Sequence, residues 1–134
     1  MERLYLLTGA AGNLGNNVAH ELVSRGALVR ALVLPGDKAA KLLPKELELF
    51  EGDVLDCASL RGFFEAPPET ELYVIHCAGI VSIGWNYNKR VHAVNVEGTR
   101  NVVSQCVASH VKKLVYVSSV HALPELPHGQ VITE

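Results

Sequence analysis

The strongest constraint in this chain is a set of short apolar runs that do not alternate with polar residues. Leu4–Leu7, Ala27–Leu34, Leu47–Phe50, Leu72–Cys77 and Leu114–Val117 are near-continuous stretches of aliphatic and aromatic side chains. A strand with one face in water alternates. A strand buried on both faces does not, and such strands belong to parallel sheets covered by helices. Helical patterns fill the gaps: Asn13–Arg25 stopped by Gly26, Lys38–Leu43 broken by Pro44, Cys57–Phe64 ended before Pro67-Pro68, and Arg90–Ser109. Right-handed crossovers then predict an α/β, doubly wound sheet of five parallel strands in the order 3-2-1-4-5, with helices on both faces.

In such a sheet the strand order reverses between strands one and four, and ligands bind there at the carboxyl ends of the strands. Thr8-Gly9-Ala10-Ala11-Gly12-Asn13-Leu14-Gly15 occupies that position, directly behind the first run and at the head of the first helix. Each glycine has a physical use: Gly9 permits the tight turn, Gly12 lets backbone approach a pyrophosphate, and Gly15 lets the helix pack closely on the strand. The helix N-terminus then faces the anion with free N–H groups. The competing reading is a tight βα turn with no ligand. The flanking strand and helix are the context that distinguishes a dinucleotide-binding loop of the Rossmann type from a chance glycine string.

The 134 residues fit one domain, taken as residues 1–134, and the 49% hydrophobic and 19% charged content argues against disorder. A net charge of −2 with interspersed signs offers no basic stripe for nucleic acid and no polybasic membrane patch. No apolar run approaches a membrane span, and the first strand begins at once, leaving no room for a signal peptide. Cys57, Cys77 and Cys106 are widely spaced, and the six histidines show no metal-ligand pattern. A cytoplasmic, reduced, metal-free protein is the expectation.

Five segments in order along the chain resemble the extended branch of the short-chain dehydrogenase/reductase superfamily, the epimerase, dehydratase and reductase group. Thr8-Gly9-x-x-Gly12-x-x-Gly15 is similar to its cofactor loop. Asp53-Val54 looks like the acidic residue that hydrogen-bonds adenine, followed by its backbone partner; a helix N-cap is the alternative duty, for which Asp56 or Ser59 fits better. Val74-Ile75-His76-Cys77-Ala78-Gly79 resembles the segment after strand four, where small residues let the ribose and nicotinamide side lie on backbone. His76 is expected to be a core histidine that ties this loop down. Asn95-Val96-Glu97-Gly98-Thr99-Arg100-Asn101 is similar to the family's N-V-x-G-T-x-N, in which Asn95 bonds backbone near the site and Gly98 marks close packing. Leu114-Val115-Tyr116-Val117-Ser118-Ser119 resembles the segment ending in the catalytic serine, here Ser119 with Ser118 as the second choice.

The resemblance therefore implies NAD or NADP as cofactor. Its contacts would come from Gly9, Gly12, Asn13, Leu14 and Gly15, from Leu34 after strand two, and from Asp53 and Val54. Cys77, Ala78, Gly79, Asn95 and Val117 complete the set. Val33 and Leu34 stand where an acidic residue would select NAD or an arginine NADP. Asp37 on one side and Lys38 and Lys41 on the other leave the choice open.

One part of the pattern is missing: Tyr5, Tyr73, Tyr87 and Tyr116 all lack a lysine four residues on, so the catalytic Tyr-x-x-x-Lys is absent. The chain is expected to be the N-terminal, cofactor-binding part of a longer enzyme, with a small-molecule substrate such as a nucleotide sugar or a hydrophobic ketone or aldehyde. The rivals are a non-catalytic NAD(P)-sensing protein on the same fold and a nucleotide-binding module for another cofactor. The family's dimer contact through the fourth helix, together with an open apolar edge at strand five, predicts a homo-oligomer.

Overall fold

The computed structural model describes residues 1–81, 86–119, 122–124 and 126–133. Strand β1 (Glu2–Thr8) lies at the centre of the sheet, paired in parallel with β2 (Leu28–Val33) on one side and β4 (Thr70–His76) on the other. β3 (Glu48–Glu51) and β5 (Lys113–Tyr116) form the two edges, so the order is β3-β2-β1-β4-β5, the one expected for a doubly wound sheet. The register sets Leu7 opposite both Ala31 and Ile75, and Thr8 opposite His76.

Successive residues of a strand point to opposite faces, so each buried strand feeds two cores. Leu6 and Val74 pack with Leu60 and Phe63 of α2 (Cys57–Phe64) and Val102 of α4 (Thr99–Ala108). Leu7, Val29 and Ala31 pack on the other side with Ala19 of α1 (Asn13–Ser24), and with Leu43 and Leu47. A short 3₁₀ helix over Lys38–Leu42 links β2 to β3.

Every strand is shifted by one or two residues against its apolar run, and two of the shifts show why. β4 starts at Thr70, because Glu2 and Arg3 of β1 continue the pairing to Thr70 and Glu71. β5 covers Lys113–Tyr116 instead of Leu114–Val117, because Lys113 aligns with Tyr73. The fourth helical stretch is also more complex than its periodicity predicts. It begins as α3 (Lys89–His92), widens into a π-helical turn over Ala93–Gly98 and continues as α4.

A charge is built into the sheet at Arg30, whose side chain is only 13% exposed. Its guanidinium pairs with Glu48 of β3 at 2.9 Å and donates to the carbonyls of Phe63 and Glu65, at 2.8 and 2.6 Å, tying the end of α2 to β2. Among the described residues no helix is long and apolar enough to cross a membrane.

Candidate cofactor cleft

The carboxyl ends of β1 to β4 open onto a cleft of about 370 Å³, within the range of small-molecule sites. The loops after β1 and β4 form its floor, the loops after β2 and β3 one wall, and Arg90 of α3 with Val94 of the π-helical turn another.

The floor depends on glycine. Gly9 has φ +70, and a Cβ there would sit 2.5 Å from the carbonyl carbon of Cys77, so two loops meet backbone to backbone. A Cβ on Gly15 would fall 1.9 Å from the Gly9 oxygen, which brings the start of α1 against the turn. Gly12 is different. Its φ of −77 and ψ of 171 suit any residue, and a Cβ would meet nothing nearer than the Gly9 oxygen at 3.4 Å. The fold alone does not demand a glycine at 12, and the space it leaves opens into the cleft. Beside it, α1 starts with no side-chain cap and no acidic residue in its first turn. The N–H groups of a helix's first turn have no intrahelical partner, so this end presents donors and a positive dipole to an anion.

The floor is anchored by a buried polar relay. Thr8 and His76 face each other across β1 and β4, both essentially inaccessible to solvent. The Thr8 hydroxyl oxygen accepts the Ala78 N–H at 3.2 Å and bonds His76 Nδ1, while His76 Nε2 bonds the Thr99 hydroxyl at 3.0 Å. The Thr8 proton has one acceptor in this arrangement, Nδ1, so the histidine carries its own proton on Nε2 and donates to Thr99. Burial lowers the His76 pKa to about 4, keeping the ring neutral. The ring of Tyr116 stacks on it at 5.8 Å. His76 is thus a core residue that holds the β4 loop, as its sequence context predicts.

The Asn95–Asn101 segment works as a clamp. Asn95 accepts the Ile80 N–H at 2.7 Å and donates to the Ile80 carbonyl at 2.9 Å, pairing with that residue as a strand would. Gly98 packs so tightly that a Cβ would lie 2.6 Å from Val54 Cγ2, and Asn101 donates to the Val54 carbonyl at 2.9 Å. One helix therefore fixes the β3 loop, the β4 loop and, through Thr99, the relay. The β3 loop has its own local order: Asp56 caps α2 by accepting from Ala58 and Ser59, and Asp53 accepts the Leu55 N–H at 2.9 Å.

Of the residues singled out by sequence, Gly9, Gly12, Leu34, Asp53, Val54, Cys77, Ala78 and Gly79 line the cleft. Asn13, Leu14 and Gly15 form the first turn of α1 behind the loop, and Asn95 stands one residue back, holding Ile80 in the lining. Val117 and Ser119 follow β5 outside the cleft wall; the Val117 N–H donates to the His76 carbonyl at 3.1 Å, and the Ser119 carbonyl accepts from Ala122 at 3.0 Å. Sequence reasoning missed Leu32, Gly52, Leu55, Ile80, Arg90 and Val94. Arg90 and Val94 are spaced i, i+4 in the helix that carries Asn95, a signal available from the sequence.

The model of the NAD dependent epimerase/dehydratase family matches residues 5–134. Sterol demethylase protein B of Methylococcus capsulatus is 35% identical over 92% of this chain and 37% of its own length. Human 3 beta-hydroxysteroid dehydrogenase type 7 is 33% identical over 90% of this chain and 33% of its own. Among solved structures, the Thermus thermophilus UDP-glucose 4-epimerase in complex with NAD superposes with a TM-score of 0.79 at 28% identity, covering 98% of this chain and 42% of that one. The chain spans about a third of the length of the curated relatives it matches. Strand order, glycine loop, clamp and family match agree: the chain belongs to the NAD dependent epimerase/dehydratase family.

Proposed function

We propose that this chain is the dinucleotide-binding part of an enzyme that exchanges hydride between a nicotinamide cofactor and an alcohol or carbonyl substrate. The observation that carries the reading is Gly12: the space it leaves is not needed by the fold and lies beside the uncapped start of α1. The first-turn amides of Asn13, Leu14 and Gly15 would hold the pyrophosphate there. Asp53 and the backbone of Val54 would read adenine, and Ala78 and Gly79 would lie under the ribose and nicotinamide, on a loop fixed by the Thr8–His76–Thr99 relay. When bound, the nicotinamide gives or takes hydride at the substrate's carbinol carbon. Ser119 would donate a hydrogen bond to the substrate oxygen at the end of β5. We place the acid/base Tyr-x-x-x-Lys pair in a segment beyond this sequence.

For the cofactor we favour NAD. Asp37, four residues past the end of β2, lines the cleft, whereas Lys38 and Lys41 do not. A carboxylate there suits ribose hydroxyls and repels a 2′-phosphate. We propose the exposed Val103 and Val107 of α4 as the contact of a homo-oligomer, to be checked by light scattering.

Calorimetric titration with NAD⁺ and NADP⁺ tests the reading. Saturable NAD⁺ binding that is lost in Gly12→Glu is expected, with circular dichroism and melting of the variant unchanged. A protein that binds neither dinucleotide, or a Gly12→Glu variant that binds as well as the parent, would overturn it.

A further inference from the structure

The wall of the cleft formed by the α3 helix holds a charge that neither the fold nor the residue roles above use. Arg90 lines the cleft, and it is the one cation among the described lining residues. Four of the other arginines, Arg3, Arg25, Arg30 and Arg100, have carboxylate partners within 4 Å; Arg90 has no ion pair among the described residues. The carboxylates that share the cleft, Asp37 and Asp53, are each tied by one oxygen to backbone, at Ala39 and Leu55.

Its place in the helix is electrostatically adverse. Asn88 caps the helix by accepting from the N–H groups of Arg90 and Val91, so Lys89 and Arg90 stand in the first turn, at the positive end of the dipole. Cations are favoured at the other end of a helix. The uncapped start of α1 and the Arg90 guanidinium therefore share one cleft, and an anion held there would be served by both.

We propose that Arg90 binds the pyrophosphate of the dinucleotide from the α3 side of the cleft, as the charged partner to the neutral amides of α1. The proposal rests on the cofactor reading above. Guanidinium is suited to this duty because its planar fork matches phosphate oxygens and stays protonated at every accessible pH. The position also explains why the glycine loop itself contains no lysine or arginine: the charge is supplied by another element.

The test is calorimetric titration of the parent protein, Arg90→Gln, Arg90→Lys and Arg61→Gln with NAD⁺, NADP⁺, ADP and adenosine. Arg61 is an arginine of α2 outside the cleft, so Arg61→Gln reports the general effect of losing one positive charge. Arg90→Gln is expected to weaken NAD⁺ and ADP by roughly tenfold, the scale of one charge-assisted contact, and to leave adenosine unchanged. Arg90→Lys should recover part of the loss, and Arg61→Gln should show none. Unchanged NAD⁺ and ADP affinity in Arg90→Gln would overturn the proposal, as would an equal loss for adenosine. A loss confined to NADP⁺ would overturn the pyrophosphate assignment and place the guanidinium at a 2′-phosphate. A parent protein that binds no dinucleotide fails the cofactor reading itself, a result distinct from binding that ignores Arg90.

Discussion

Acid should unfold this protein through His76. The ring is buried between Thr8 and Thr99, and its folded pKa is about 4 against an ordinary value of 6.5. A depressed pKa means that the unfolded chain takes up a proton before the folded one does. The neutral ring therefore contributes its full stability above pH 6.5, and that contribution drains away as pH falls toward 4. Each pH unit between the two values is worth about 1.4 kcal/mol, so the whole interval amounts to about 3 kcal/mol, a large share of a small domain's stability. The proton has a specific cost as well. It would occupy Nδ1, the only acceptor for the Thr8 hydroxyl, and Thr8 holds the Ala78 N–H. Urea unfolding followed by circular dichroism at pH 7.5, 6.5, 5.5 and 4.5, on the parent and on His76→Asn, isolates the effect. The variant should start less stable at neutral pH, because two threonines lose their partner, yet lose less stability on acidification, with the two curves converging by about 3 kcal/mol near pH 4. Parallel curves would refute the argument.

Other consequences follow from packing and charge. Gly98→Ala should destabilise by about 1–3 kcal/mol in spite of alanine's better helix propensity, since the new Cβ would fall 2.6 Å from Val54 Cγ2; thermal melting measures it. Arg30→Ala should cost about 1–3 kcal/mol in urea unfolding, because it leaves the Phe63 and Glu65 carbonyls without the guanidinium that serves them. Thiol labelling of the native protein should modify exposed Cys57 first. Cys106, buried and with its pKa pushed up to about 11, should react only when the protein unfolds.

What could be read from sequence was local. Non-alternating runs report burial on both faces, so the parallel sheet and its order follow from composition along each strand and from crossover handedness. The glycine loop, the Asn95 segment and Asp53 could be found because their spacing is short. Contacts set by register and crossing helices were less accessible. Nothing near Arg30 in the chain announces Phe63 and Glu65 as its partners, 33 and 35 residues away. The start of β4 at Thr70 depends on where β1 begins, not on Thr70. Arg90 looks like any solvated helix charge until the β2 and β3 loops are placed across from it.

The widened turn at Ala93–Gly98 separates two tasks performed by one rod. Downstream of it, Thr99, Asn101 and Val102 must face the sheet to satisfy His76, Val54 and the core. Upstream, Arg90 must face the cleft. A uniform α-helix couples the two orientations rigidly at about 100° per residue. The additional residue in the turn works as a rotational offset, letting the two halves be aimed independently. Deleting one residue from Ala93–Gly98 would swing the entry half by about 100° relative to the core half, carrying Arg90 off the cleft.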